Sequence, residues 1–227
     1  MTPFDLPFDR PTSMVMYGSS RPLLNWVAYA LASAADPGFV WTDVRLEGEV
    51  LTDVDPLSRN LIPPDRMNVV SPAGLIPNDA VANMAIAGVI REEESDVALG
   101  RLLDFLRLPP GAQRLLARGS SGNRPKVLVL SNAHRLVAVW PARALAPALG
   151  AIVGAGGSLF MTFADAPPGS HDAFEIRLHL EGGNSKSWRQ TTLRVEKGPS
   201  AGPFRPGSEH RLGEFDPVAA VLARDFQ

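Results

Sequence analysis

Few residues in this chain have the type and spacing that chemistry requires. The turn Gly18-Ser19-Ser20-Arg21 follows the apolar run Ser13-Met14-Val15-Met16-Tyr17 and precedes Pro22. A helix starting at such a turn points unpaired backbone N–H groups back at it, and Arg21 adds a cation, so an anion is the ligand this turn would take. Pro22 removes one of those donors. Asp43 lies near the end of Phe39-Val40-Trp41-Thr42-Asp43-Val44, and Ser131 and Asn132 follow Lys126-Val127-Leu128-Val129-Leu130. For Asp43 an ordinary surface acid is the simpler reading. Asp165, His171 and Asp172 share a Pro/Gly loop after another apolar run, and a plain surface loop is the simpler reading there too.

Other chemistries lack their residues. The chain has no cysteine, which removes disulfides, thiolate-held zinc and thiol nucleophiles. Its four histidines are His134, His171, His179 and His210, and none forms an H-x-x-x-H pair or adjoins acids at ligand spacing, so no metal or other cofactor is expected. Ser19, Ser20, Ser120 and Ser121 sit in no G-x-S-x-G elbow. No G-x-G-x-x-G follows the first apolar run, so a dinucleotide fingerprint is missing. Glu92-Glu93-Glu94 suits the start of a helix at Ser95 and needs no ligand. The net charge of −2 gives no global basic field. Arg114, Arg118, Arg124 and Lys126 form a modest basic stretch that would meet a nucleic-acid backbone, but it lacks interleaved aromatics.

The elements that must position these residues follow from pattern. At 227 residues, 45% hydrophobic and 20% charged, the chain fits one α/β domain spanning 1–227. Ser13–Tyr17 reads as a strand. Leu23, Val27, Ala30, Leu31 and Ala34 then recur at helical spacing over Pro22–Ala35. Phe39–Val44 and Met67–Val70 read as strands, separated by a surface loop over Arg45–Pro64. Helical patterns follow at Asn78–Ile90, Ser95–Leu106 and Ala112–Arg118. Lys126–Leu130 shows no alternation, as in a parallel strand buried on both faces. Ala144–Ala164 carries no charge over 21 residues, yet Pro147 and four glycines interrupt it, so a helix at Ala142–Gly154 and a strand at Leu159–Phe163 explain it better than a membrane span. Phe174–Glu181 alternates with period two, and Trp188–Lys197 returns as a second strand, a hairpin with one wet face. A short strand at His210–Leu212 and a helix at Asp216–Phe226 complete the order. The N-terminus reads as no signal peptide, so a cytoplasmic protein is expected.

This order resembles the RecA-like P-loop ATPases, above all their KaiC-like branch. Phe174-Glu175-Ile176-Arg177-Leu178, Trp188 and Leu193-Arg194-Val195-Glu196-Lys197-Gly198 look like the KaiC-like ending, where a tryptophan precedes an L-x-V-x-K strand. The resemblance implies a three-layer sandwich with a mainly parallel sheet and a C-terminal antiparallel hairpin. It puts Gly18–Arg21 at the P-loop position, Asp43 where KaiC-like enzymes place catalytic acids, Ser131 and Asn132 at the Walker B position, and Lys197 at an inter-subunit contact. A P-loop needs wrapping glycines, a phosphate-binding lysine and a Ser/Thr for Mg²⁺. Here the loop is short, with one glycine and no lysine; the chain's three lysines are Lys126, Lys186 and Lys197. No carboxylate follows Leu130, and Pro199 replaces the arginine expected two positions after Lys197. The expectation is a domain that has lost ATP hydrolysis and engages a protein partner or a second copy of itself. The alternative is a degenerate nucleotide- or anion-binding protein that uses Gly18, Ser19, Ser20, Arg21, Asp43 and Asn132.

Overall fold

The computed structural model describes residues 10–45, 56, 59–63, 66–70, 127–135, 153, 157–165, 174–182, 186–216 and 218–225. Eight strands form one sheet. They are β1 (Ser13–Gly18), β2 (Val40–Val44), β3 (Met67–Val70), β4 (Val127–Ser131), β5 (Ser158–Phe163), β6 (Ile176–Glu181), β7 (Thr192–Lys197) and β8 (Glu209–Arg211). Two helices are described, α1 (Arg21–Ala35) and α2 (Val218–Asp225). The strand order is β3-β2-β4-β5-β1-β6-β7-β8. The pairings from β3 across to β6 are parallel, whereas β6–β7 and β7–β8 are antiparallel. The fold is therefore α/β, a mostly parallel sheet with antiparallel strands at its C-terminal side.

Alternation sorts the strands between two faces. Met14, Met16, Trp41, Val127, Val129, Phe160, Ile176, Leu178, Leu180, Leu193 and Val195 join one apolar cluster with α1 and α2. Helix α1 supplies Leu23, Trp26, Val27, Ala30 and Leu31, and α2 supplies Val218 and Leu222. Each buried leucine or tryptophan there contributes about 1.5–3 kcal/mol of transfer free energy. The alternate residues Val15, Leu128, Leu130, Leu159 and Met161 are buried as well, so both faces of the central strands are covered. Strand β6 keeps one wet face instead, with Arg177, His179 and Glu181 partly exposed between buried neighbours.

Two sequence expectations need correction. Trp188–Gln190 is a turn of 3-10 helix, not strand, and β7 begins at Thr192. The Thr191 N–H closes that turn on the Trp188 carbonyl at 3.0 Å, which lets the Trp188 ring reach the core. The last strand is Glu209–Arg211, one residue earlier than expected. Within the expected final helix Asp216–Phe226, Val218–Asp225 is helix, and the Ala219 N–H donates to the Phe215 carbonyl. The helical patterns at Asn78–Ile90, Ser95–Leu106 and Ala112–Arg118 lie outside the described residues, as does Ala142–Gly154 apart from Val153. Leu159–Phe163 is strand, which removes the second half of the charge-free run from any membrane helix. No described helix is long and apolar enough to cross a membrane.

Candidate functional site

The strand order creates a place where a ligand crevice is expected. From β2 the chain continues outward to β3, while from β4 it continues the other way to β5. Adjacent parallel strands whose connections diverge form a topological switch point, and ligands bind outside their carboxyl ends. Asp43 near the end of β2 pairs in register with Ser131 at the end of β4, so the switch point brings together the residues that the sequence singles out.

Asp43 is fully buried, which corrects the surface-acid reading. Its carboxylate is enclosed by partners from its own chain. The Ser131 hydroxyl donates to Asp43 Oδ1 at 2.7 Å, and the Asn132 side-chain amide donates to the same oxygen at 2.7 Å. The Arg45 Nε donates to Oδ2 at 2.9 Å, and Arg45 Nη2 forms an ion-pair contact with that oxygen at 2.9 Å. A carboxylate offers about four acceptor positions, so these contacts leave little capacity for a metal ion or a proton donor from substrate. Burying a carboxylate costs several kcal/mol unless a cation and hydrogen bonds compensate, and Arg45 supplies the cation.

The surrounding bonds fix these groups. Trp41 Nε1–H donates to Ser131 Oγ at 3.0 Å, so the serine passes a chain of bonds from the indole to the acid. Asn132 has a left-handed backbone, φ 57°, which asparagine tolerates better than most residues. Its N–H donates to Thr162 Oγ1 at 3.1 Å, tying the turn after β4 to β5. Arg135 Nη1 donates to the Val44 carbonyl at 3.0 Å and ties that turn to β2. The Ala164 N–H reaches His134 Nδ1 at 3.3 Å, which gives that histidine a place in the same turn.

The anion-binding candidates lie elsewhere along this edge. Gly18 ends β1, which β5 separates from β4. Only Ser19 and Ser20 stand between β1 and α1. Ser19 is exposed, and Ser20 is the N-cap residue without a side-chain cap bond. The glycine at position 18 has a packing reason. A Cβ there would stand 2.7 Å from the Leu180 carbonyl oxygen and 3.0 Å from the Leu180 Cβ, because β6 runs alongside. Arg21 opens α1, and the first turn of that helix carries no acid. Lys197 is not part of this edge. It closes β7 opposite Arg177, near the start of β6, whereas Gly18 pairs with Leu180 further along that strand. Asp165 is exposed after β5, and His171 and Asp172 lie outside the described residues.

Arg45, Trp41 and Thr162 also belong to the cluster, although no sequence motif marks them. For Arg45 a signal existed, since residues i and i+2 on a strand share a face. Among the described residues, no three His, Asp or Glu side chains converge as metal ligands. No family model matches this chain, and no curated protein matches it.

Proposed function

We propose that this chain is a RecA-like domain without ATP hydrolysis, acting as a non-catalytic interaction or regulatory module. The layout supports the fold part of the reading: a first strand inside a parallel sheet, a turn and helix directly after it, and antiparallel strands at the C-terminal side. The carrying observation is the enclosed Asp43. Phosphoryl transfer depends on positioning and charge stabilisation at a metal-bound phosphate chain. Among the described residues at the switch point, the buried acid Asp43 is bonded to Ser131, Asn132 and Arg45, where a metal-holding pair of groups would have to remain open. The two-residue link between β1 and α1 is also too short to wrap a triphosphate.

A thermal-shift titration with ATP and ADP, with and without Mg²⁺, tests the loss of nucleotide chemistry. A ligand that binds only the folded state raises the midpoint by mass action. The expected result is no Mg²⁺-dependent rise at millimolar nucleotide and no phosphate release. A clear Mg²⁺-dependent rise with turnover overturns the reading. Light scattering and pulldown test the interaction part, for which a strict monomer that captures no partner is the adverse outcome.

One observation favours a second reading, residual anion binding. Helix α1 is 15 residues long, starts beside the exposed Ser19 and has no acid in its first turn, so its dipole favours an anion there. Calorimetry with nucleotides and inorganic phosphate on the wild type and Arg21→Ala separates the readings. Heat that disappears in the variant supports the second.

A further inference from the structure

We propose that the Arg45 guanidinium is an internal counter-cation that holds the place of a divalent metal ion at the Asp43–Ser131–Asn132 cluster. This rests on the reading above in treating the switch point as a closed site, and it names what closes it. Occupancy of the cluster is thereby fixed by the chain itself and not by a ligand.

Three observations carry the proposal. First, the Asp43 carboxylate is fully buried, so it requires a cation within contact distance. Second, its two oxygens are divided by function. Oδ1 accepts from the neutral donors Ser131 and Asn132, and Oδ2 accepts from Arg45 Nε and meets Arg45 Nη2 in an ion-pair contact, both at 2.9 Å. The cation therefore stands on one side of the carboxylate, as a bound ion would. Third, the Arg45 side chain is 20% exposed while Asp43 is 0% exposed, so the arginine reaches the buried acid from its more exposed side.

The other members are the right type for a hard cation. Ser131 offers Oγ, and rotation of the Asn132 amide exchanges its donor for a carbonyl oxygen. A carboxylate with neutral oxygens and waters is the donor set that Mg²⁺ and Mn²⁺ accept. With one carboxylate the affinity falls in the millimolar range. Truncating Arg45 removes the resident charge and vacates its place at Oδ2 together, so the variant gains a response to divalent ions that the wild type lacks.

The experiment compares the melting midpoints of the wild type, Arg45→Met and the double variant Asp43→Asn/Arg45→Met, each titrated with Mn²⁺ or Mg²⁺ after chelator treatment. The wild type shows no change. Arg45→Met gains a saturable rise of about 3–5 °C at millimolar ion, and the double variant loses it. If Arg45→Met is unfolded without metal and Mn²⁺ restores its fold, the proposal is supported. A folded Arg45→Met that ignores both ions overturns it, as does one that no ion rescues while the double variant folds. A second measurement guards the result. Trp41 is bonded to Ser131, so Mn²⁺ quenching of wild-type emission that is absent in Trp41→Phe shows the cluster already open and overturns the proposal. ATP turnover by the wild type would instead remove the non-catalytic reading, and the metal titration would still decide the role of Arg45.

Discussion

The Tyr17 hydroxyl donates to Glu196 Oε1 at 2.5 Å, joining β1 to β7 across the intervening β6. The contact depends on a bulge. Leu178 pairs with Val195 and Arg177 pairs with Lys197, so Glu196 is an extra residue without a partner on β6. A bulge of this kind re-aims a side chain. Here it lets Glu196 also take Arg177 Nε at 2.6 Å, while the Tyr17 ring stacks on His179 at 4.4 Å. Histidine 179 is therefore a packed member of this network, with Nδ1 3.2 Å from Glu181, and not a solitary solvated side chain.

This network predicts alkaline lability. Burial foremost, then the bond to Glu196 and its negative charge, pushes the Tyr17 hydroxyl up to about 12 from 10.0. The folded pKa lies above the unfolded one, so the neutral phenol favours the native state. That stability is complete below pH 10 and is lost as pH rises through about 12. Glu196→Gln moves the Tyr17 titration down without restoring 10.0, since burial remains. Ultraviolet titration of the wild type, Tyr17→Phe and Glu196→Gln checks this, with Tyr29 also raised by burial. A Tyr17 that titrates normally in the wild type contradicts the arrangement.

Gly18→Ala destabilises the protein by about 1–3 kcal/mol in urea, because its methyl group meets the Leu180 backbone oxygen and not a flexible side-chain end. The loss appears equally with and without nucleotide or phosphate. A folded variant of native stability that has lost anion binding would show instead that Gly18 serves a ligand.

Asn132→Asp puts a second carboxylate where the amide donates to Asp43 at 2.7 Å. Two close carboxylates cannot both ionise cheaply. The variant loses about 2–4 kcal/mol near neutral pH, and part of that returns on mild acidification as one proton is taken up. Urea denaturation at both conditions measures the difference. A loss that does not depend on pH rules out carboxylate repulsion as its cause.

Ser131→Ala strips one donor from Asp43 and the acceptor from Trp41. Leaving buried groups unpaired costs about 1–3 kcal/mol each. Stability falls accordingly, and tryptophan emission changes because the indole N–H has lost its partner. The paired change is absent in Trp41→Phe/Ser131→Ala, which assigns the signal to Trp41.

Several elements were legible in the residues themselves. The unbroken apolar run before Ser131, the helical spacing from Leu23 to Ala34 and the alternation from Phe174 to Glu181 each reflect local periodicity against a buried surface. They locate β4, α1 and β6, with β6 starting two residues after the first alternating position. The absence of a lysine at Gly18–Arg21 and of an acid after Leu130 is likewise a property of the chain alone. What Asp43 does was decided elsewhere. Its burial and its partners depend on which strand lies beside β2, and the partner, β4, begins more than eighty residues later. Local pattern carries no information about such a neighbour. The same holds for Gly18, whose constraint is the approach of β6, and for Glu196, whose aim is set by a register shift between strands. The sequence set periodicity and chemistry at each position. Long-range strand pairing turned an apparent surface acid into a buried, internally neutralised one.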